Sequence, residues 1–332
     1  STTFSRTGFP AFFGRTAAHD PVRLFYTRTR CSGGRADAAG CSPAQVWEPT
    51  EKKRKDSMKL LTLNTHSLEE SGMPEKQAAF AKAVTRFRPD VIALQEVNQH
   101  RNAAAVPMPE GYVPAQQAVV LRRDNHGLAV ARLLEQEGLH YQWSWLPAKV
   151  GYDKYDEGLA LFSRKPVLET ADLLVSRTDD YFNYRTRRLL GIRTEDGWFF
   201  TVHMSWWNDP QEPFARQWET LLDLLPKDGP VYLMGDFNGD AQVSGQTYDL
   251  VKASGFCDTY DLAQTKDEGW TVQGVIDGWR DQAAVPARRI DQIWARHPVT
   301  VRSSRVVFNG AEEPVISDHF GILTELQPEE EH

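Results

Sequence analysis

Polar side chains recur where apolar segments of the chain end. They are Asn64, Glu96, His203, Asp236 with Asn238, Asp291, and Asp318 with His319. Carboxylates, amides and imidazoles bind cations, donate and accept hydrogen bonds, and transfer protons. These residues are far apart in the chain. If they meet in space, they form a functional site. The ends of strands along one edge of a sheet are where α/β proteins gather such sites.

The apolar segments that precede these side chains have the patterns of strands and helices. Strands are predicted at 59–63, 91–94, 158–163, 198–204, 231–234, 290–295 and 321–326. Helices are predicted from Pro74 through Phe87 and at 127–137, 213–225 and 246–253, on helical spacing of apolar residues. Several strands follow one another with no helix between them. This order indicates sheets covered by helices on their outer faces, a layered α/β architecture.

The first 57 residues differ from the rest of the chain. They show no sustained helical or strand periodicity and end in the basic run 52–55. We interpret 1–57 as a leader sequence before a natural start at Met58; the alternative is a basic disordered arm. No linker composition interrupts 58–326, so we expect one catalytic domain at 58–327 and a frayed tail at 328–332.

Charge and composition exclude several classes of protein. The 332 residues carry a formal charge of −7, and the part from Met58 onward carries −12. A protein that grips a nucleic-acid backbone usually has a basic footprint, so a nucleic-acid partner is not expected. No run approaches 18 uncharged apolar residues, so no membrane partner is expected. Cys257 is the one cysteine beyond residue 57, which favours a reducing, cytoplasmic location.

Five segments together resemble the endonuclease/exonuclease/phosphatase superfamily. They are Leu61-Thr62-Leu63-Asn64, Ala93-Leu94-Gln95-Glu96, Met234-Gly235-Asp236-Phe237-Asn238, Arg289-Ile290-Asp291 and Ser317-Asp318-His319-Phe320-Gly321. Each is weak alone, but all five occur in the family's order and spacing. The resemblance implies a four-layer α/β/β/α sandwich of the DNase I type, with two β-sheets face to face and helices on the outer faces.

The resemblance also implies a metal site. Glu96 matches the family's principal Mg²⁺ ligand, assisted by Asn64 and Asp318. Oxygen ligands of this kind suit Mg²⁺ or Mn²⁺ better than Zn²⁺. The implied activity is hydrolysis of a phosphoester by in-line attack of water. A binding module without catalysis has no reason to retain the complete set of residues.

Catalytic roles follow from the same resemblance. His319 matches the catalytic histidine next to Asp318, and Asp291 matches the residue that orients its ring. His203 matches the second family histidine, expected to be protonated, and Glu157 is its expected carboxylate partner. Asp236 and Asn238 match the element that positions the attacking water and contacts the phosphate. Both His319 and Asp236 remain candidates for the general base.

Aromatic and basic residues near the motifs bear on the substrate. Trp206, Trp207 and Trp279 are expected to stack on a sugar, and Arg187 or Arg185 is expected to bind phosphate. The segments 58–67, 155–160, 181–187 and 203–207 resemble bacterial maltose 6′-phosphate phosphatases within the superfamily. The predicted function is a Mg²⁺-dependent phosphomonoesterase acting on a phosphorylated sugar. The alternative is a metal-dependent nuclease acting on DNA or RNA.

Overall fold

The structure is a computed structural model that describes residues 57–115, 119–276, 279 and 287–328. The described residues belong to one compact unit. The expectations for a leader at 1–57 and a tail at 328–332 fall, apart from Ser57 and Pro328, outside the described residues.

The described residues contain fifteen strands and five α-helices. The strands are β1 (Met58–Asn64), β2 (Val91–His100), β3 (Gln142–Gly151), β4 (Tyr155–Ser163), β5 (Glu169–Leu174), β6 (Arg188–Thr194), β7 (Gly197–His203), β8 (Val231–Asp236), β9 (Cys257–Asp258), β10 (Ala263–Lys266), β11 (Val272–Gln273), β12 (Ala287–Arg288), β13 (Asp291–Ala295), β14 (Val301–Val307) and β15 (Gly321–Leu326). The helices are α1 (Met73–Phe87), α2 (His126–Gln136), α3 (Phe214–Leu224), α4 (Thr247–Ala253) and α5 (Thr259–Leu262). Strands β3, β5, β6 and β14, the short strands β9 to β12 and the short helix α5 were not anticipated from the sequence.

Two mixed sheets make up most of the fold. The first has seven strands in the order β10-β14-β15-β1-β2-β4-β3, and the second has six in the order β5-β6-β7-β8-β13-β9. Within each sheet the central pair is parallel, β1 with β2 and β7 with β8, while β15 and β13 run antiparallel to their neighbours. Parallel strands therefore end, and antiparallel strands begin, at the same edge of each sheet.

Apolar side chains from both sheets pack against each other. Leu60 and Leu161 of the first sheet share one buried cluster with Phe199 and Met234 of the second. Because side chains alternate along a strand, Phe200 points the other way and packs with Trp218 of α3. The interior between the sheets is thus built from every second residue of their central strands.

Helices cover the outer face of each sheet. Helix α1 packs its Phe80 and Val84 on the first sheet, together with Leu128 and Leu134 of α2. Helices α3 and α4 cover the second sheet in a separate cluster. The prediction of an α/β/β/α sandwich of two sheets with outer helices is confirmed. None of the described helices is long and apolar enough to cross a bilayer.

A buried histidine at the start of α2 makes stability sensitive to acid. His126 accepts a hydrogen bond from Gln77 Nε2 at 2.9 Å, and its burial lowers its pKa to about 4. The unfolded chain protonates this ring near pH 6.5, so the free energy of unfolding should fall as the pH drops from 6.5 toward 4, by roughly 3 kcal/mol. Urea unfolding at pH 7 and pH 4.5 should show a smaller loss for His126→Gln than for wild type. An equal loss in both proteins would contradict this assignment.

Candidate active site

Five central strands have an end at one edge of the sandwich. Asn64 ends β1, His203 ends β7 and Asp236 ends β8, while Asp291 begins β13. Asp236 is the register partner of both His203 and Asp291 across the second sheet. Ser317 Oγ donates to the backbone carbonyl of Asn64 at 2.7 Å, which places Asp318 and His319 at the same edge just before β15. The structure therefore brings these predicted residues together.

Glu96 reaches this edge through an irregularity in β2. The pairing of β2 with β4 shifts between Leu94 and Val97, and Glu96 adopts a left-handed conformation with φ 51°. Its neighbour Gln95 is buried and donates to Thr201 Oγ1 of the opposite sheet at 2.8 Å. The bulge keeps Gln95 between the sheets while Glu96 lines the cavity.

The position of the Gln95 side chain between the sheets requires glycine at position 235 of β8. Its φ is 143°, and a Cβ there would lie 2.2 Å from the carbonyl oxygen of Val202 and 2.7 Å from Gln95 Nε2. Only glycine lets β8 pass this close to the Gln95 amide. Gly235 thus allows Asp236, the next residue, to end β8 facing Asn64.

Carboxylates crowd the first half of the site. The Asn64 amide donates from Nδ2 to Glu96 Oε1 at 3.0 Å and to Asp236 Oδ2 at 3.2 Å. Burial, followed by the charges of Glu157 and Asp318, raises the pKa of Glu96 above its usual value. Carboxylates that repel one another in a buried position favour a bound cation.

His319 and Asp291 form the second half of the site. His319 Nδ1 lies 2.9 Å from Asp291 Oδ2. Burial alone lowers the pKa of His319, but the charge and hydrogen bond of Asp291 outweigh it and raise that pKa well above its usual value. Burial and then the Asp291 charge raise the pKa of Asp236 to about 7. Asp291 is thus within hydrogen-bond distance of the His319 ring.

His203 differs from expectation in its charge. Burial, and then the positive charges of Arg187, Lys149 and His319, lower the pKa of His203 well below its usual value. The ring is therefore neutral near pH 7, whereas the resemblance implied a protonated ring. Its Nε2 lies 3.7 Å from Asp236 Oδ2, close to the reacting edge.

Glu157 has a closer partner than the one expected for it. Its Oε1 forms a buried ion pair with Lys149 Nζ of β3, while His203 Nδ1 is 3.9 Å away. The short β3–β4 connection brings Lys149 and Glu157 opposite each other as register partners. Glu157 thus balances a buried lysine first and contacts the histidine second.

Arg187 has no such close partner, although the charges of Glu157 and Asp236 act on it from beyond ion-pair distance. It is 4% exposed, and none of the described carboxylates lies within 4.0 Å of its guanidinium. Its Nη1 donates to the carbonyl oxygens of Tyr184 and Thr186, while Nε is buried without a partner among the described residues. Burial lowers its pKa, yet an arginine stays charged in proteins. A buried, unpaired guanidinium is costly unless an anion binds to it.

One cavity of about 280 Å³ joins these groups. Its acidic lining residues are Glu96, Glu157, Asp236 and Asp318; its other lining residues include His66, Lys149, Tyr152, Tyr184, Arg187, His203, Trp206, Asn238 and His319. The cavity thus brings four carboxylates together with cationic and imidazole side chains in one small volume. This arrangement suits an anionic substrate held beside a divalent cation.

Three predicted substrate residues lie elsewhere. Trp207 packs in the apolar cluster under α3. Trp279 is buried and donates from Nε1 to Asn238 Oδ1 at 3.3 Å, so it supports a site residue and is not itself in the cavity lining. Arg185 Nε donates to both carboxylate oxygens of Asp209 at 2.9 Å. Of the residues expected to bind substrate, Trp206 and Arg187 are the ones that line the cavity.

Several lining residues were not found from the sequence. Lys149 belongs to β3, which was not predicted, so its position opposite Glu157 could not be anticipated. His66 was not among the predicted site residues, but it lines the cavity and its Nδ1 lies 3.8 Å from Asp318 Oδ1. Its place two residues after the Asn64 strand end was the one signal available for it.

A family model described as "Endonuclease/Exonuclease/phosphatase family" matches residues 61–319. The chain belongs to the endonuclease/exonuclease/phosphatase family. It is therefore a phosphoester hydrolase of the divalent-metal-dependent kind. The matched range begins within β1 and ends at His319, so it spans all the strand ends that form the site. No curated protein matches the chain.

Solved structures share the fold. An endonuclease/exonuclease/phosphatase family protein from Leptotrichia buccalis is 28% identical, with a TM-score of 0.72 over 81% of this chain and 99% of that one. A mannosyl-6-phosphatase from Bacteroides thetaiotaomicron is 20% identical, with a TM-score of 0.55 over 81% and 99%. TDP2 from D. rerio, complexed with a single-strand DNA product, is 18% identical, with a TM-score of 0.52 over 82% and 100%.

Proposed function

We propose that this family member is a Mg²⁺-dependent phosphomonoesterase acting on a phosphorylated sugar. The observation that carries the proposal is Arg187, a buried guanidinium in the cavity without an ion pair to the described carboxylates. A phosphomonoester is a dianion at neutral pH and a phosphodiester is a monoanion. The additional charge of the monoester is what a buried unpaired arginine stabilises best.

The carboxylate side of the cavity fits a divalent metal ion. Glu96 and Asp318 supply hard oxygen ligands, and their mutual repulsion is relieved by a cation. Asn64, as placed, donates its amide N–H to Glu96 and so supports that carboxylate. We propose Mg²⁺ as the ion, with Mn²⁺ able to replace it, because the site offers oxygen donors and no thiolate. A bound Mg²⁺ would supply neutralisation of the charge on the phosphoryl oxygens.

The side chains of the protein complete the chemistry. Arg187 binds phosphoryl oxygens in this proposal, and Asn238, whose Nδ2 donates one N–H to the Met204 carbonyl at 2.9 Å, has a second N–H to offer the same oxygens. His203 is a neutral hydrogen-bonding group beside them. His319 and Asp236 both line the cavity and are the two groups placed to exchange protons with the reacting oxygens.

The sugar is proposed from three observations. The part of the chain from Met58 onward carries a charge of −12, which disfavours a nucleic-acid duplex. Trp206 lines the cavity, and an indole face suits the apolar face of a sugar ring. One structural neighbour is a mannosyl-6-phosphatase. Among sugar phosphates we propose a disaccharide phosphate of the maltose 6′-phosphate type, a small-molecule substrate met in the cytosol.

A substrate panel tests this proposal. The full chain is incubated with phosphorylated mono- and disaccharides, inositol phosphates and nucleotides, with Mg²⁺ or with EDTA, and inorganic phosphate is measured. Nicking of plasmid DNA is followed in parallel. We expect Mg²⁺-dependent phosphate release from sugar phosphates and intact plasmid. Plasmid nicking without phosphate release would establish the nuclease alternative, which the TDP2 neighbour with its DNA product represents.

Substitution of Arg187 tests the dianion argument. Arg187→Lys keeps the charge but loses the forked geometry, and we expect kcat/KM for a sugar phosphate to fall about 10- to 100-fold, the value of one or two charged hydrogen bonds. The matched control is Arg188→Lys, since Arg188 lies next in the chain and pairs with Asp172 at 2.7 Å. Equal activity of the two variants would contradict the role of Arg187.

A further inference from the structure

Two tyrosines form part of the mouth of the active-site cavity. Tyr184 and Tyr152 both line it and are 50% and 40% exposed. They come from different segments: Tyr184 from the connection between β5 and β6, and Tyr152 from the turn between β3 and β4. Large apolar rings that remain exposed beside a substrate cavity are candidates for ligand contact.

The ring of Tyr184 is held rigidly from one side. The guanidinium of Arg185 stacks on it at 4.3 Å from the ring centroid, and Asp209 fixes that guanidinium through two contacts of 2.9 Å. The backbone carbonyl of Tyr184 accepts a hydrogen bond from Arg187 Nη1 at 2.7 Å. The residue proposed to bind phosphate thus also positions the residue that carries the exposed ring.

The segment that carries Tyr184 is well anchored. The backbone carbonyl of Tyr181 accepts from Val150 N at 2.7 Å, and its hydroxyl donates to Asp156 Oδ1 at 2.9 Å. Hydrogen bonds between Ser176 and Arg187 join the two ends of this connection between β5 and β6. A binding surface whose side chains are already ordered loses little conformational entropy when a ligand binds.

Tyr152 has a strained backbone conformation, and its side chain is held by a hydrogen bond. It has φ 49°, and the next residue, Asp153, has φ 58°; both are left-handed conformations in residues other than glycine. The Tyr152 hydroxyl lies 3.0 Å from His66 Nε2. Backbone strain of this kind persists where surrounding contacts enforce it and clusters at ligand sites.

We propose that Tyr184 and Tyr152 form a stacking subsite for the second ring of a phosphorylated disaccharide. The inference rests on the proposed sugar phosphatase function and names the part of the substrate that these rings select. At about 280 Å³ the cavity lies at the small end of ligand pockets, so it accommodates the phosphate and its own ring, and a second ring extends to the mouth. There the exposed tyrosine faces meet the apolar C–H face of that ring.

The test compares two substrates in the full chain. Maltose 6′-phosphate has the second ring and glucose 6-phosphate lacks it. For Tyr184→Ala we expect kcat/KM for the disaccharide phosphate to fall about tenfold, mainly through KM, with less than a twofold change for the hexose phosphate. Tyr184→Phe keeps the ring and should restore the preference, and Tyr152→Ala should weaken it independently.

Phe182→Ala is the matched control. Phe182 lies on the same segment and is 66% exposed, but it is not among the residues that line the cavity. Its removal should leave both substrates unaffected. Equal loss on both substrates in Tyr184→Ala, or no loss on either, would overturn the subsite. A loss confined to a single-stranded oligonucleotide would assign the rings to bases and also overturn it. If the wild-type chain hydrolyses neither sugar phosphate, the proposed function itself fails.

Discussion

Replacement of Glu96 by glutamine is expected to remove metal-dependent turnover while leaving the fold intact. The amide keeps the size of the side chain and its contact with Asn64 but loses the charge that a divalent ion requires. Loss of the metal's charge neutralisation should lower kcat about 10³-fold. The measurement is phosphate release as a function of Mg²⁺ concentration.

Stability separates this effect from misfolding. Mg²⁺ at a hundred times its Kd should stabilise the wild-type chain by about 2.7 kcal/mol, seen as a rise in Tm of several degrees. Glu96→Gln should lose that rise, yet its Tm in EDTA should not fall, because the substitution relieves repulsion from Glu157 and Asp318. The control is Glu313→Gln, a buried carboxylate paired with Arg86 and outside the cavity lining, which should keep the Mg²⁺ response. A normal Mg²⁺ response in Glu96→Gln would contradict the metal site.

The second large effect is expected from His319. Removal of its imidazole in His319→Gln should lower kcat by about 10² to 10⁴, the usual contribution of a positioned proton-transfer group. Asp291→Asn should lower kcat as well, because it removes the charge that orients the ring across 2.9 Å. We propose that Asp291 acts mainly through His319, so the double variant should be little slower than His319→Gln alone.

A matched histidine–aspartate pair serves as the control. His100 Nδ1 lies 2.7 Å from Asp124 Oδ2, but neither residue lines the cavity. His100→Gln should therefore leave kcat unchanged. Multiplicative losses in the His319→Gln and Asp291→Asn double variant would show that Asp291 acts independently and would contradict its positioning role.

The convergence of the site was predictable from the sequence because of where its polar residues stand. Asn64, His203 and Asp236 each follow an apolar run, and such runs become buried strands whose ends share one edge. The segments around them are also short and local, so their order in the chain was enough to indicate the family. The layered fold followed from the same runs and from the amphipathic helices between them.

Contacts that depend on strand pairing were not predictable. Lys149 reaches Glu157 only because β3 pairs with β4 in one register, and β3 has no simple alternation of apolar and polar residues that could be recognised. Arg185 and Arg187 could not be told apart as phosphate ligands from the sequence. Burial of Asp209 beside one of them decided that Arg185 forms an ion pair and that Arg187 faces the cavity.

The tryptophans show the same limit. Trp206 and Trp207 are adjacent, and an extended chain turns adjacent side chains to opposite sides. The sequence could predict that at least one of the pair lines the site, but not which one. The cluster under α3 takes Trp207, which leaves Trp206 for the cavity.

Above all, we propose that the site hydrolyses a phosphomonoester of a sugar. The most direct measurement is kcat/KM of the full chain for maltose 6′-phosphate and for a phosphodiester, bis(4-nitrophenyl) phosphate, in the same buffer with Mg²⁺ and with EDTA, using Glu96→Gln as the blank. We expect the monoester to be hydrolysed with the larger kcat/KM, only with Mg²⁺, and with release of inorganic phosphate. Preferential hydrolysis of the diester, or hydrolysis of the monoester that persists in EDTA, would contradict the account.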